Sequence, residues 1–101
     1  IATETEERLA AIPDDLKSDI ILAPHHGGKT SSTAGFLDKV QPSVSVFSCG
    51  FDNRYKDPHP EVIARYKMRG AKIYRTDHYG AVMLLTDGTF LWDGKGIRIL
   101  P

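Results

Sequence analysis

The chain has 101 residues, enough for one domain with a modest core and at the small end for an enzyme. Its 13 basic and 13 acidic side chains balance, which excludes a global cationic field for holding nucleic acid, so any such contact must be local. The single cysteine, Cys49, excludes an internal disulfide and any cysteine-rich zinc module, and no apolar run approaches the roughly 20 residues of a membrane helix.

The chain opens at Ile1 without an initiator methionine and reads as a segment of a longer protein. Residues 3–11 have the makings of a short helix, with Thr3 as cap, Glu4, Glu6 and Glu7 in the first turn favoured by the helix dipole, and Leu9 and Ile12 on one side. Pro13 ends it. A polar loop leads to residues 20–23, whose β-branched start predicts a buried strand. Pro24 then delivers His25 and His26 into a turn with Gly27 and Gly28. Neutral imidazole is a good ligand for zinc, manganese or iron and passes protons near neutral pH. In extended backbone the two rings would alternate faces, putting one on a metal and the other either packed or aimed at a substrate from a different angle. Thr30, Ser31 and Ser32 follow at a predicted helix start, a place suited to a phosphate.

That helix starts at Ser32 or Thr33, carries Phe36, Leu37 and Val40 as one apolar stripe, and closes at Gln41-Pro42. Residues 44–49 are a second strand ending at Gly50, with Cys49 read as a small buried hydrophobe. The polar loop 51–58 supplies Asn53, Arg54 and Tyr55: an amide, a guanidinium and a phenol for a phosphate or a base, or else a loop whose Tyr55 packs on the sheet. His59 precedes Pro60 at the mouth of a third helix, where it either protonates a leaving oxygen, holds a phosphate or simply caps the helix; Val62, Ile63 and Tyr66 form its buried stripe and Gly70 its stop. Strand, helix, strand, helix with short links predicts parallel strands with right-handed crossovers, and in such a sheet loops at the carboxyl ends of neighbouring strands converge on one site. Residues 72–75 complete that part. Residues 81–86, 89–92 and 96–100, separated by Asp87-Gly88 and Asp93-Gly94, predict an antiparallel meander along its edge, with Asp77 bonding amides in a turn, His78 in solvent, and Phe90 and Trp92 in the core.

Leu22-Ala23-Pro24-His25-His26-Gly27, Asn53-Arg54-Tyr55, Pro58-His59-Pro60-Glu61-Val62 and Tyr74-Arg75-Thr76-Asp77 with Gly80-Ala81 resemble, in order and spacing, the carboxyl-terminal half of the metallo-β-lactamase-like domain of ComEC-type DNA-uptake competence proteins. The similarity spans nearly the whole chain. It implies an α/β fold that is half of an αββα sandwich, a parallel β-α-β-α-β part followed by the meander, with residues 1–101 as the carboxyl-terminal part of the domain. It also implies a phosphodiesterase or nuclease that uses two divalent metals, zinc or manganese, to cleave DNA during competence-linked uptake. His26 is the expected metal ligand, His25 and His59 the catalytic pair, and Ser31, Ser32, Asn53, Arg54 and Tyr55 the substrate contacts.

In the wider superfamily most ligands lie in an upstream His-x-His-x-Asp-His segment, a further His and a bridging Asp; the last would fall just before Ile1. The usual His-His-Gly-Ser here reads His-His-Gly-Gly, so Gly28 lacks a hydroxyl. A catalytic metal needs three protein ligands or more, so the segment alone should hold metal weakly or not at all and be inactive. Its partners would be DNA and the rest of its own chain, the amino-terminal half of the domain and a membrane channel, with no lipid contact. Half a sandwich should also expose an apolar patch and could self-associate. The resemblance places the domain, as a soluble part of a bacterial inner-membrane protein, on the extracytoplasmic side. Two alternatives remain: a non-catalytic DNA-guiding or protein-docking module of a transport channel, and a hydrolase of small esters or lactams on the same fold.

Overall fold

The computed structural model describes residues 3–100. Helix α1 (Thr3–Ala11) is followed by strand β1 (Ile20–Leu22), a tight turn at Pro24–Gly27, helix α2 (Ala34–Val40), strand β2 (Val44–Phe47), helix α3 (Pro60–Met68) and strand β3 (Lys72–Arg75). A short helix α4 (Thr76–Tyr79) then leads to strands β4 (Leu84–Thr86), β5 (Leu91–Asp93) and β6 (Arg98–Leu100).

Strands β1, β2 and β3 form a parallel sheet in that order, with β2 central and Ile21, Ser45 and Ile73 in register. Because side chains alternate along a strand, this row and the row of Ala23 and Phe47 face one way, toward the helices. There Phe36, Leu37 and Val40 from α2 and Val62 and Tyr66 from α3 close a core over Phe47. The Phe47 and Tyr66 rings meet edge to face, centroids 5.0 Å apart. Each large apolar side chain fully buried here contributes about 1.5–3 kcal/mol relative to exposure. The sequence periodicity predicted these helix stripes. Thr33 caps α2 by accepting from the Phe36 amide, and Gly70 takes φ +75° just beyond α3, a conformation without steric cost only for glycine.

The last third does form an antiparallel meander, β4-β5-β6, but as a sheet of its own rather than an edge of the parallel one. The turn expected around Asp77 is helix α4, which carries the chain off the end of β3 before β4 begins. Asp87 and Asp93 shape the two hairpin turns by accepting amide hydrogens from Thr89 and Phe90 and from Lys95 and Ile97. Phe90 and Trp92, expected in the core, are only half-buried. On the parallel sheet's other face Leu22 is 66% exposed while Val44 is fully buried, and Met83 and Ile97 of the meander region are open to solvent. No helix among the described residues is long and apolar enough to cross a membrane.

Candidate active site

Three connections leave the carboxyl ends of the three parallel strands: the histidine turn after β1, the 48–59 loop after β2, and α4 after β3. They meet around a cleft of about 270 Å³ lined by His26 from the first, Cys49, Asn53, Tyr55 and Asp57 from the second, and Thr76 from the third. The loops after the three strands do converge, but of the histidines expected to meet there only His26 lines the cleft; His25 and His59 do not. Hydrogen bonds tie the loops together: the His59 amide donates to the Gly27 carbonyl at 2.9 Å, the Cys49 amide to the Thr76 hydroxyl at 2.9 Å, and the Thr76 hydroxyl to the Cys49 carbonyl at 3.0 Å.

The histidine turn is not extended. His25 and His26 both sit in left-handed backbone, φ 52° and 57°, so the alternation argument does not apply to them. Such a conformation costs a side-chain-bearing residue roughly 1–2 kcal/mol and is held by its surroundings. Gly27, at φ +80°, is what those surroundings require: a β-carbon there would lie 2.7 Å from the Phe47 ring and from Pro58. The backbone of the turn thus rests directly on the sheet and on the second loop.

The outcome separates the two imidazoles. His26 Nδ1 lies 2.6 Å from the Ser48 carbonyl, and since a carbonyl can only accept, Nδ1 carries the proton and the neutral ring keeps its lone pair on Nε2. A metal-ligating histidine is oriented in the same way, its second ring nitrogen bound to a carbonyl. Among the described residues His25 does not line the cleft; its ring is exposed beside Gly28. His59 has the opposite tautomer. Its Nδ1 accepts from the Glu61 amide at 3.2 Å, capping α3, so a neutral ring holds its proton on Nε2 and can donate from there.

Ser31 and Ser32 are wholly buried, and the phosphate seat read from them is filled from inside the protein. The amides of Ser32 and Thr33 donate to the Glu6 carboxylate at 2.7 and 2.6 Å, and Glu6 itself is buried. Ser31 Oγ donates to the carbonyls of Pro24 and Gly28, bracing the histidine turn, while Ser32 Oγ shares a 2.8 Å hydrogen bond with the Tyr66 hydroxyl. As placed, both serines are scaffold for the turn, with no surface to offer a substrate.

Asn53 lines the cleft, but its amide is spent on the loop: Nδ2 donates to the carbonyls of Gly50 and Asp57, and Oδ1 accepts from the Asp57 amide. Arg54 and Tyr55 are exposed, the guanidinium 5.7 Å from the centre of the phenol ring, so Tyr55 does not pack on the sheet. Asp57 and Thr76 were not singled out as site residues from the sequence; the signals were their positions, one before the Pro58-His59-Pro60 run and one just beyond the third strand.

Arg75 grips Asp77 through two parallel bonds, Nε to Oδ1 at 3.1 Å and the terminal nitrogen to Oδ2 at 2.8 Å. Those bonds hold the Asp77 carboxyl below the usual carboxylate range. Burial, and then the Asp77 charge, pushes the Cys49 thiol up, so Cys49 is a protonated thiol at neutral pH rather than an activated nucleophile. Among the described residues no three His, Cys, Asp or Glu side chains gather closely enough to hold a metal ion. The donor set fits a metal through one ligand, His26 Nε2, and further ligands would have to come from elsewhere.

The chain is 30% identical over 79 residues to ComE operon protein 3 of Bacillus subtilis, a match covering 78% of this chain and 10% of that protein. It is 40% identical over 81 residues to competence protein ComA of Neisseria gonorrhoeae, covering 79% and 12%. Recombination protein 2 of Haemophilus influenzae is 35% identical over 66 residues, covering 65% and 8%. The chain thus spans about a tenth of the length of the curated relatives it matches. No protein-family model matches it, and neither does any solved structure.

Proposed function

Since the chain is homologous over most of its length to ComEC-type competence proteins, we propose that it is the carboxyl-terminal part of a metallo-β-lactamase-like domain that hydrolyses phosphodiester bonds of DNA during uptake. On this reading the parallel sheet with its helices and the separate meander are half of an αββα sandwich. The domain works on the extracytoplasmic side of the membrane with the rest of its own chain, which would supply the remaining ligands.

The observation that carries the reading is the His26 ring, locked by the Ser48 carbonyl with its lone pair on Nε2, at a cleft built from the carboxyl ends of all three parallel strands. His26 Nε2 would hold one of two divalent metals, zinc or manganese. Such metals lower the pKa of water and screen charge on the attacked phosphate. His25 and His59 do not line the cleft themselves; a phosphate extending beyond it would meet His25 on the same turn as His26, and His59, with Nε2–H as its donor, would protonate the leaving oxygen from the start of α3. Asp57 offers an acceptor on the cleft wall, whereas the Thr76 hydroxyl is spent on the Cys49 backbone.

The test is His26→Ala in the full-length protein that carries this segment. Cleavage of a labelled DNA oligonucleotide with Mn²⁺ or Zn²⁺ should fall at least a hundredfold, with the melting temperature little changed. Undiminished cleavage overturns the reading. DNA binding that persists with no cleavage in either protein favours a non-catalytic DNA-guiding module instead.

A further inference from the structure

Two large aromatic side chains stand almost entirely in solvent on the loop that forms one wall of the cleft: Phe51, 86% exposed, and Tyr55, 76% exposed. Tyr55 lines the cleft, and Phe51 directly follows Gly50, which also lines it. Exposed aromatics of this size are uncommon, and two within five residues beside a candidate active site ask for an occupant. The loop holding them is braced. The Asn53 side chain spans it with three hydrogen bonds, to the Gly50 and Asp57 carbonyls and from the Asp57 amide, and Lys56 pairs with Asp52 at 2.6 Å. Both rings are therefore displayed outward at little further entropic cost on binding.

The charge beside them chooses the class of occupant. Lys56 pairs with Asp52, whereas the cationic Arg54 guanidinium lies over the Tyr55 ring, 5.7 Å from its centre. An aromatic face with a guanidinium next to it suits a flat base attached to a phosphate, and a base offers its face only where it is not stacked in a duplex.

We infer that Phe51 and Tyr55 form a stacking platform for unpaired bases, with Arg54 meeting the adjoining phosphate, so that the segment selects single-stranded over double-stranded nucleic acid. The inference rests on the proposed phosphodiesterase reading for its biological setting but not for its test, which needs neither metal nor cleavage. The full-length protein that carries this segment is titrated in EDTA against a fluorescent single-stranded DNA oligonucleotide and against the same sequence as a blunt duplex, read by anisotropy. The expected result is tighter binding of the single strand, weakened about tenfold by Phe51→Ala and by Tyr55→Ala, restored by Phe51→Trp, with duplex binding unmoved.

Since both rings lie in solvent, neither substitution should shift the melting temperature, and that measurement confirms the variants remain folded. Equal loss on duplex and single strand, no loss in either variant, or no single-strand binding by the parent chain overturns the inference. A protein partner at this loop would produce the second of those results. Binding of the predicted kind without cleavage in the full-length protein would sink the nuclease reading alone; cleavage with insensitive aromatics would sink this inference alone.

Discussion

Tyr66 is fully buried, its ring packed on Phe47 and its hydroxyl on Ser32 Oγ, with the Glu6 carboxylate close by. Burial drives its pKa up to about 12; the Ser32 hydrogen bond pulls it down and the Glu6 charge pushes it up. The folded value thus lies above the unfolded value of about 10, and the protonated phenol is the form the fold favours. The stability this contributes is fully present below about pH 10 and is lost as pH rises toward about 12. Urea unfolding across that window should show the parent chain losing stability relative to Tyr66→Phe, which has no proton to lose there. At neutral pH the same substitution should cost about 1 kcal/mol, because Ser32 Oγ is left buried without its partner. The sequence showed only part of this. It displayed an acidic first turn in α1, but Glu4, Glu6 and Glu7 look alike in it, and only the packing of α1 on α2 turns Glu6 inward. A carboxylate bonding amides 26 and 27 residues away leaves no local trace.

Helices α2 and α3 were legible because their apolar residues recur at helical spacing and their caps, Thr33 and His59 with Pro60, are residues that favour such positions. The histidine turn was legible as a turn and not as a conformation: left-handed backbone at two consecutive histidines is set by what Gly27 and Ser31 do around them, not by histidine itself. The sequence suggests a phosphate at the start of α2, but the amides there are taken by the protein's own Glu6 carboxylate. Gly27 is the residue on which the element depends. Gly27→Ala would force a β-carbon into the Phe47 ring and Pro58 at φ +80°, so it should cost more than about 2 kcal/mol in chemical denaturation. It should also release the His26 imidazole from Ser48, visible as a shift of the imidazole resonance toward an unconstrained tautomer mixture.

At the scale of the whole molecule the protein is a slab, 38 × 36 × 19 Å, one layer of helices on one layer of sheet with the meander alongside. Its accessible surface is 6472 Å², against about 5,700 Å² for a compact monomer of its 11.2 kDa mass. The sequence conveyed the order of the elements and the parallel topology, since links of this length admit few alternatives. It did not convey that the meander stands apart from the parallel sheet, because strand pairing across Gly80 depends on the direction in which α4 sends the chain.

A plate so thin leaves little of its backbone far from water, and only β2 has a neighbouring strand on each side as well as helices above it. In deuterium oxide, therefore, the amides of Val44–Phe47 should be the last to give up their protons, while those of the meander trade theirs early; mass spectrometry of timed digests would record the sequence of events.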